Sequence, residues 1–190
     1  MKAGVAIWLD WPLPDCVEVA VAAEAAGFSE VWLPDHYFLR DAYAAQALIA
    51  ERTSRIRLGT AVVSPLLRHP VLLASSVSTV NELSGGRAIM GVGVGGFEFA
   101  TQLMMSVDRP LRIAREAVRI IRELPTGETD FRGEVFSAVG AKLVWDGGTF
   151  PVYMAARGKQ MLELAGEIAD GVITHGLNRS YIDFCLDRIR

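Results

Sequence analysis

The chain has 190 residues, 51% hydrophobic and 22% charged, with a net charge of −3, the profile of a globular domain long enough to bury a sizeable core. No basic excess or Lys/Arg run points to nucleic acid or a membrane surface, and no apolar stretch approaches the roughly twenty residues that span a bilayer. Two distant cysteines, Cys16 and Cys185, have no CxxC spacing; they argue against a disulfide framework and fit a reducing cytoplasm.

Along the chain, strand and helix patterns take turns. The run 3–9 (AGVAIWL) reads as a buried strand, too short for a secretory signal and stopped by Asp10. Pro12 and Pro14 break the chain, and Asp15 is placed to cap a helix that runs to about Ala26 and ends at Gly27. The run 28–34 (FSEVWLP) is a second strand, 42–53 a helix and 56–63 (IRLGTAVV) a third strand. Pro70 opens the next helix, with a stripe at Leu73, Val77, Val80 and Leu83, and Gly85-Gly86 closes it. Residues 87–94 (RAIMGVGV) form another strand, followed by the connection FEFATQLMMSVD. A helix spans about Arg109 to Leu124, with Ala114, Ala117, Val118 and Ile121 on its apolar face. Residues 125–150 are turn-rich, and GETDFRGEVFSA reads as a small exposed hairpin. The run 151–156 (PVYMAA) is a strand, Met161, Leu164, Ala165 and Ile168 mark a helix, and 170–175 (DGVITH) is the last strand. Ser180 begins a final helix, in which the sequence stops.

Apolar strands alternating with helices mean a parallel sheet covered by helices. The choices are an open doubly wound sheet or a (β/α)8 barrel. Both keep their chemistry at the C-terminal ends of the strands, and there VWLPDHYF (31–38) delivers Asp35 and His36. GVGVGG (91–96) matches GxGxxG. That motif marks a dinucleotide fold where the glycines lead straight into a helix and an acid follows at the end of the next strand. Here no helix follows at once, and the acid at the expected distance, Glu116, lies inside RIAREAVRIIREL. The better reading is close approach of backbone to a ligand. There is no GxSxG, and the three histidines lack ligand spacing, so neither a nucleophilic triad nor a metal centre is expected.

The segment RIRLGTAVVSPLLRHPVLLASSVSTVNELSGGRAIMGVGVGG, taken with VWLPDHYF, DRPLRIAREAVRIIREL and PVYMAARGKQMLELAGEIADGVIT, resembles the luciferase-like flavin and deazaflavin oxidoreductases. The resemblance covers nearly the whole chain. It implies a (β/α)8 TIM-type barrel, present here as a single domain, 1–190, of about six βα units. Eight strands close such a barrel, so the chain reads as the N-terminal part of a longer product, with a naturally shortened member as the alternative. An unclosed sheet exposes edges and apolar faces, which favours association or instability, and a homodimer is the assembly considered.

The Asp-His pair resembles the branch that uses the deazaflavin coenzyme F-420, with FMN as the alternative cofactor. By that resemblance His36 lies beside the reactive edge of the ring, where an imidazole can relay a proton; the alternative is a histidine satisfying a loop carbonyl. Asp35 corresponds to a residue touching the ring system, or else is a helix cap or turn former. Thr60-Ala61-Val62 matches a bulge with a non-proline cis peptide that presses on the ring; the alternative is a plain strand. Ser64 is placed to hydrogen-bond the ring or ribityl chain, and Val94 and Gly95 to offer backbone contacts. Ala155, Ala156, Arg157 and Gly158 lie where a helix start, with Arg157 and Lys159, suits a phosphate. His175 faces the pocket or is structural, and His69 caps the helix that starts at Pro70. The expected function is hydride transfer to or from a small organic substrate. The alternatives are an FMN-dependent monooxygenase and a non-catalytic flavin-binding or interaction protein.

Overall fold

The structure, a computed structural model, describes residues 2–95, 102–176 and 178–189. Its strands are β1 (Gly4–Ala6), β2 (Glu30–Leu33), β3 (Arg57–Thr60), β4 (Ala88–Val92), β5 (Thr129–Arg132), β6 (Ser137–Ala141), β7 (Val152–Ala155) and β8 (Gly171–Ile173). Its helices are α1 (Leu13–Ala25), α2 (Ala42–Arg52), α3 (Pro70–Leu83), α4 (Pro110–Glu123), α5 (Lys159–Ile168) and α6 (Arg179–Arg188). A parallel sheet runs β1-β2-β3-β4-β7-β8, and β5-β6 is a separate antiparallel hairpin, within the segment whose turn residues announce one.

Each helix packs on the next, from α1 on α2 to α5 on α6, so the helices share one face of the sheet. A doubly wound sheet would carry them on both faces; this is the half-barrel alternative. Residue alternation shows the same division. In β2, Val31 and Leu33 are fully buried beneath the helices, while Glu30 and Trp32 point to the inner face and are half-buried. Room for the Trp32 indole comes from Gly59 on the neighbouring strand, where an added Cβ would lie 2.3 Å from the ring. Trp32 also meets Tyr153 of β7, with centroids 5.8 Å apart.

Two helix starts illustrate local control. His69 caps α3 as expected, its Nδ1 accepting the Val71 N–H at 3.3 Å, with Pro70 in the first turn. Asp15 does not cap α1: the helix begins at Leu13 with Pro12 at the cap position, and no side chain caps it. The correction has a simple cause, since a first-turn proline lacks only an N–H that would have no helical partner. The helix therefore starts through Pro14 rather than after it.

Buried and half-buried charges brace the connections. Glu24 accepts the Ser54, Arg55 and Ile56 N–H groups before β3. Arg87 donates to the carbonyls of Ala50, Thr53, Ile56 and Ser84. Glu116, the acid at dinucleotide spacing, accepts the Glu134, Val135 and Phe136 N–H groups at 3.0, 2.9 and 2.9 Å, and so holds the turn of the hairpin. Gly96 and the start of the connection after it, through residue 101, lie outside the described residues. No helix of the described residues is long and apolar enough to cross a membrane, and both cysteines are buried free thiols.

Candidate functional site

Because the six strands run parallel, their C-terminal ends form one rim. Asp35 and His36 follow β2, Ala61 to Ser64 follow β3, Val94 and Gly95 follow β4, Ala156 to Gly158 follow β7, and His175 follows β8. The pairing of β3 with β4 slips at this level, from Gly59 opposite Ile89 to Val63 opposite Val92. The extra residue makes a bulge over Thr60–Val62, and the Ala61–Val62 peptide is cis. Thr60 fills the break: its hydroxyl donates to the Gly91 carbonyl at 2.8 Å and accepts the Gly91 N–H at 2.9 Å.

A cavity of about 410 Å³ opens at the rim, lined by Ala61 and Val62, by Gly93 to Gly95, by Ala155 to Gly158, and by Met161, Ile173 and His175. This lies within the range of small-molecule and cofactor sites. Its floor is backbone: an added Cβ at Gly93 would lie 2.9 Å from both the Val62 Cγ2 and the Ala155 Cβ. One wall is the start of α5, whose cap residue Gly158 has no side chain to occupy the first N–H groups, so these remain available to an acceptor. Arg157 and His175 flank it and are exposed. Tyr181 joins the two loops behind, its hydroxyl lying 3.3 Å from both the Arg157 carbonyl and the Thr174 hydroxyl. A groove of similar size between α4 and α5 lies on the outer helical layer, where Arg115 and Glu167 pair across it at 2.7 Å; it is a solvated helix seam.

Of the residues singled out from sequence, Ala61, Val62, Val94, Gly95, Ala155, Ala156, Arg157, Gly158 and His175 line this cavity. Asp35, His36 and Ser64 stand on the same rim but outside the lining. Ser64 is buried and its hydroxyl accepts the Leu66 N–H at 3.3 Å, closing a local turn. His36 stacks on Tyr37 with centroids 4.3 Å apart, and its Nδ1 accepts the Phe38 N–H at 3.3 Å. Asp35 is gripped by Arg68, Nε to Oδ2 at 2.9 Å and Nη2 to Oδ1 at 3.4 Å. Arg68 also donates to Asp41 and lies over the Tyr43 ring, 5.5 Å from its centroid. Burial opposes ionisation of Asp41, but the Ala44 N–H and Arg68 outweigh it and hold the carboxyl below its usual range. Burial, with Asp35 nearby, pushes the Tyr43 phenol well up, so it stays neutral.

Sequence reasoning missed Arg68, Met161, Ile173 and Tyr181. Met161 fits the apolar stripe of α5, and only its position in the first turn, beside the rim, distinguishes it as a cavity residue. Arg68 and Tyr181 carry no local signal.

The 5,10-methylenetetrahydromethanopterin reductase of Archaeoglobus fulgidus is 38% identical over 174 residues, 91% of this chain and 52% of that protein. The F-420-dependent glucose-6-phosphate dehydrogenase of Amycolatopsis mediterranei is 36% identical over 84% of this chain and 52% of its own length. Among solved structures, the coenzyme F-420-dependent tetrahydromethanopterin reductase of Methanopyrus kandleri superposes with a TM-score of 0.93 at 28% identity, over 99% of this chain and 59% of that one. The chain thus spans about half the length of the relatives it matches. The family model for luciferase-like monooxygenases matches residues 6–190, and the chain belongs to that family.

Proposed function

We propose that this chain contributes the cofactor side of an oxidoreductase that transfers a hydride between coenzyme F-420 and a small organic substrate. The observation that carries the reading is the rim cavity, with its backbone floor at Gly93, its bulge at Ala61–Val62 and its open helix start beside Arg157. A relative named for F-420 at 36% identity, and the F-420-dependent reductase structure that superposes on the chain, support the cofactor class.

The residues fit such a group. Val62, Met161 and Ile173 offer apolar contact for a planar ring, and the glycines allow it to sit against backbone. The α5 start and Arg157 suit a phosphate at the far end. When bound, the deazaflavin supplies a ring carbon that carries the hydride. The chain's own residues orient the ring, exclude water from one side and hold a proton at the His36 imidazole, whose Nδ1 accepts the Phe38 N–H, leaving Nε2 for exchange. Asp35, Ser64, Val94 and Gly95 complete the rim around it.

The test is titration of the full-length protein with F-420 and with FMN, followed by cofactor fluorescence. Saturable F-420 binding tighter than FMN is expected. Tight FMN binding without an F-420 response would replace this reading with a flavin monooxygenase, and binding of both without turnover would leave a non-catalytic flavin-binding protein.

A further inference from the structure

Arg68 lies outside the cavity and stands two residues before α3, yet its guanidinium reaches both ends of the loop after β2. At the start of that loop it forks onto Asp35, whose side chain is only 10% exposed. At the end it donates to Asp41. Asp41 is already in use: its other oxygen accepts the Ala44 N–H at 2.8 Å and caps α2. A single cation therefore joins β2, α2 and the turn before α3, and its face is held over Tyr43. Between the two anchored acids lie His36, Tyr37 and Phe38, with His36 stacked on Tyr37 and Tyr37 meeting Phe38 edge to face. Tyr37 reaches out to Gln102 through its hydroxyl.

From this we infer that Arg68 is a positioning residue, which fixes where His36 stands on the rim by clamping both ends of its loop. The inference rests on the proposed role of His36 in hydride transfer. The geometry requires arginine. Its planar fork binds two carboxylates in fixed directions while stacking on a ring, whereas a lysine ammonium is one compact charge. Two acids that close the loop would repel each other if the cation were removed, so the loop would open at both ends at once.

The experiment compares Arg68→Lys and Arg68→Met with wild type in the full-length protein. Hydrogen exchange over residues 35–44 is read without cofactor, and kcat, KM for F-420 and melting temperature are read with it. Arg68→Met is expected to speed exchange in 35–44 about tenfold or more while α4 and α5 stay protected, and to lower kcat about 10–100-fold, as small misplacements of a reacting group do, with KM for F-420 changed little. Arg68→Lys should behave like Arg68→Met. Wild-type exchange in Arg68→Met, full rescue by Arg68→Lys, or parallel loss of kcat, KM and melting temperature would overturn the inference. If wild type binds no F-420, the functional reading fails, while the exchange measurement still decides whether Arg68 clamps the loop.

Discussion

Gly93→Ala tests whether the cavity floor holds a ring. The backbone at Gly93 lies in a region open to any residue, so the effect is purely one of space. The new methyl would stand 2.9 Å from the Val62 Cγ2 and from the Ala155 Cβ, against about 3.5–4.0 Å for carbon atoms at rest. Neither the Gly93 backbone nor Ala155 yields easily. The Gly93 N–H donates to the Val63 carbonyl at 2.9 Å, and Ala155 is fixed in β7, paired to β8. Overpacking of this kind costs about 1–3 kcal/mol. At roughly 2–4 °C per kcal/mol for a chain of this size, the melting temperature should fall by about 2–12 °C. The easiest relief is for Val62 to move up into the cavity, where a ring would lie. F-420 affinity should then fall about tenfold or more, equivalent to about 1.4 kcal/mol. Differential scanning fluorimetry and fluorescence titration read the two effects separately. A variant that melts early but binds F-420 as wild type does would show that the ring does not rest on this floor.

Two further predictions concern His36 and Glu116. His36→Ala should lower turnover about 10²–10⁴-fold, the range for a positioned acid–base group, with the F-420 dissociation constant within a few-fold of wild type; steady-state kinetics with normal turnover would show that His36 is structural. Burial alone would raise the Glu116 carboxyl, but the Phe136, Val135 and Glu134 N–H groups outweigh it and hold it low, so its contribution to stability is complete above the unfolded value of about 4.3 and is lost as pH falls through the lower folded value. Glu116→Gln should cost about 1.5–3 kcal/mol at pH 7 and flatten that acid limb; urea titrations at pH 7 and pH 3 that show the same deficit at both would contradict the assignment.

The rim was legible because a buried strand must end in residues that tolerate water. The change from Val31-Trp32-Leu33 to Asp35-His36, and from Val172-Ile173 to His175, marks such ends without any structure. The βα alternation gave parallel strands for the same reason, but not the choice between sheet and barrel, which depends on which face the helices take. The bulge at Thr60–Val62 was visible only through family resemblance; its residues look like any apolar strand. The Arg68 clamp was not legible at all. It joins residues 33 and 27 positions apart, and nothing local to LLRHP says which acids its arginine will meet. Glu116 was noticed only as an acid in the wrong place for a nucleotide, and its use as a brace emerged with the hairpin it holds.

The distribution of acids bears on the kind of chemistry the rim can perform. Hydrolytic sites commonly depend on carboxylates that face the reacting atoms, often in pairs. Here Glu24 and Glu116 are spent on backbone N–H groups, Asp170 accepts the Val152 N–H and pairs with Arg122, and Asp35 and Asp41 share Arg68. The described residues that line the cavity include no carboxylate; they offer apolar walls, backbone N–H groups, Arg157 and His175. An apolar slot with a positive end suits the aromatic system with an anionic tail that the proposed function places there. Under the proposed function the reactive atom comes from the bound cofactor. The protein's contribution under that function is the angle of the ring and the location of one exchangeable proton at His36, and the inferred Arg68 clamp should then affect rate more than binding.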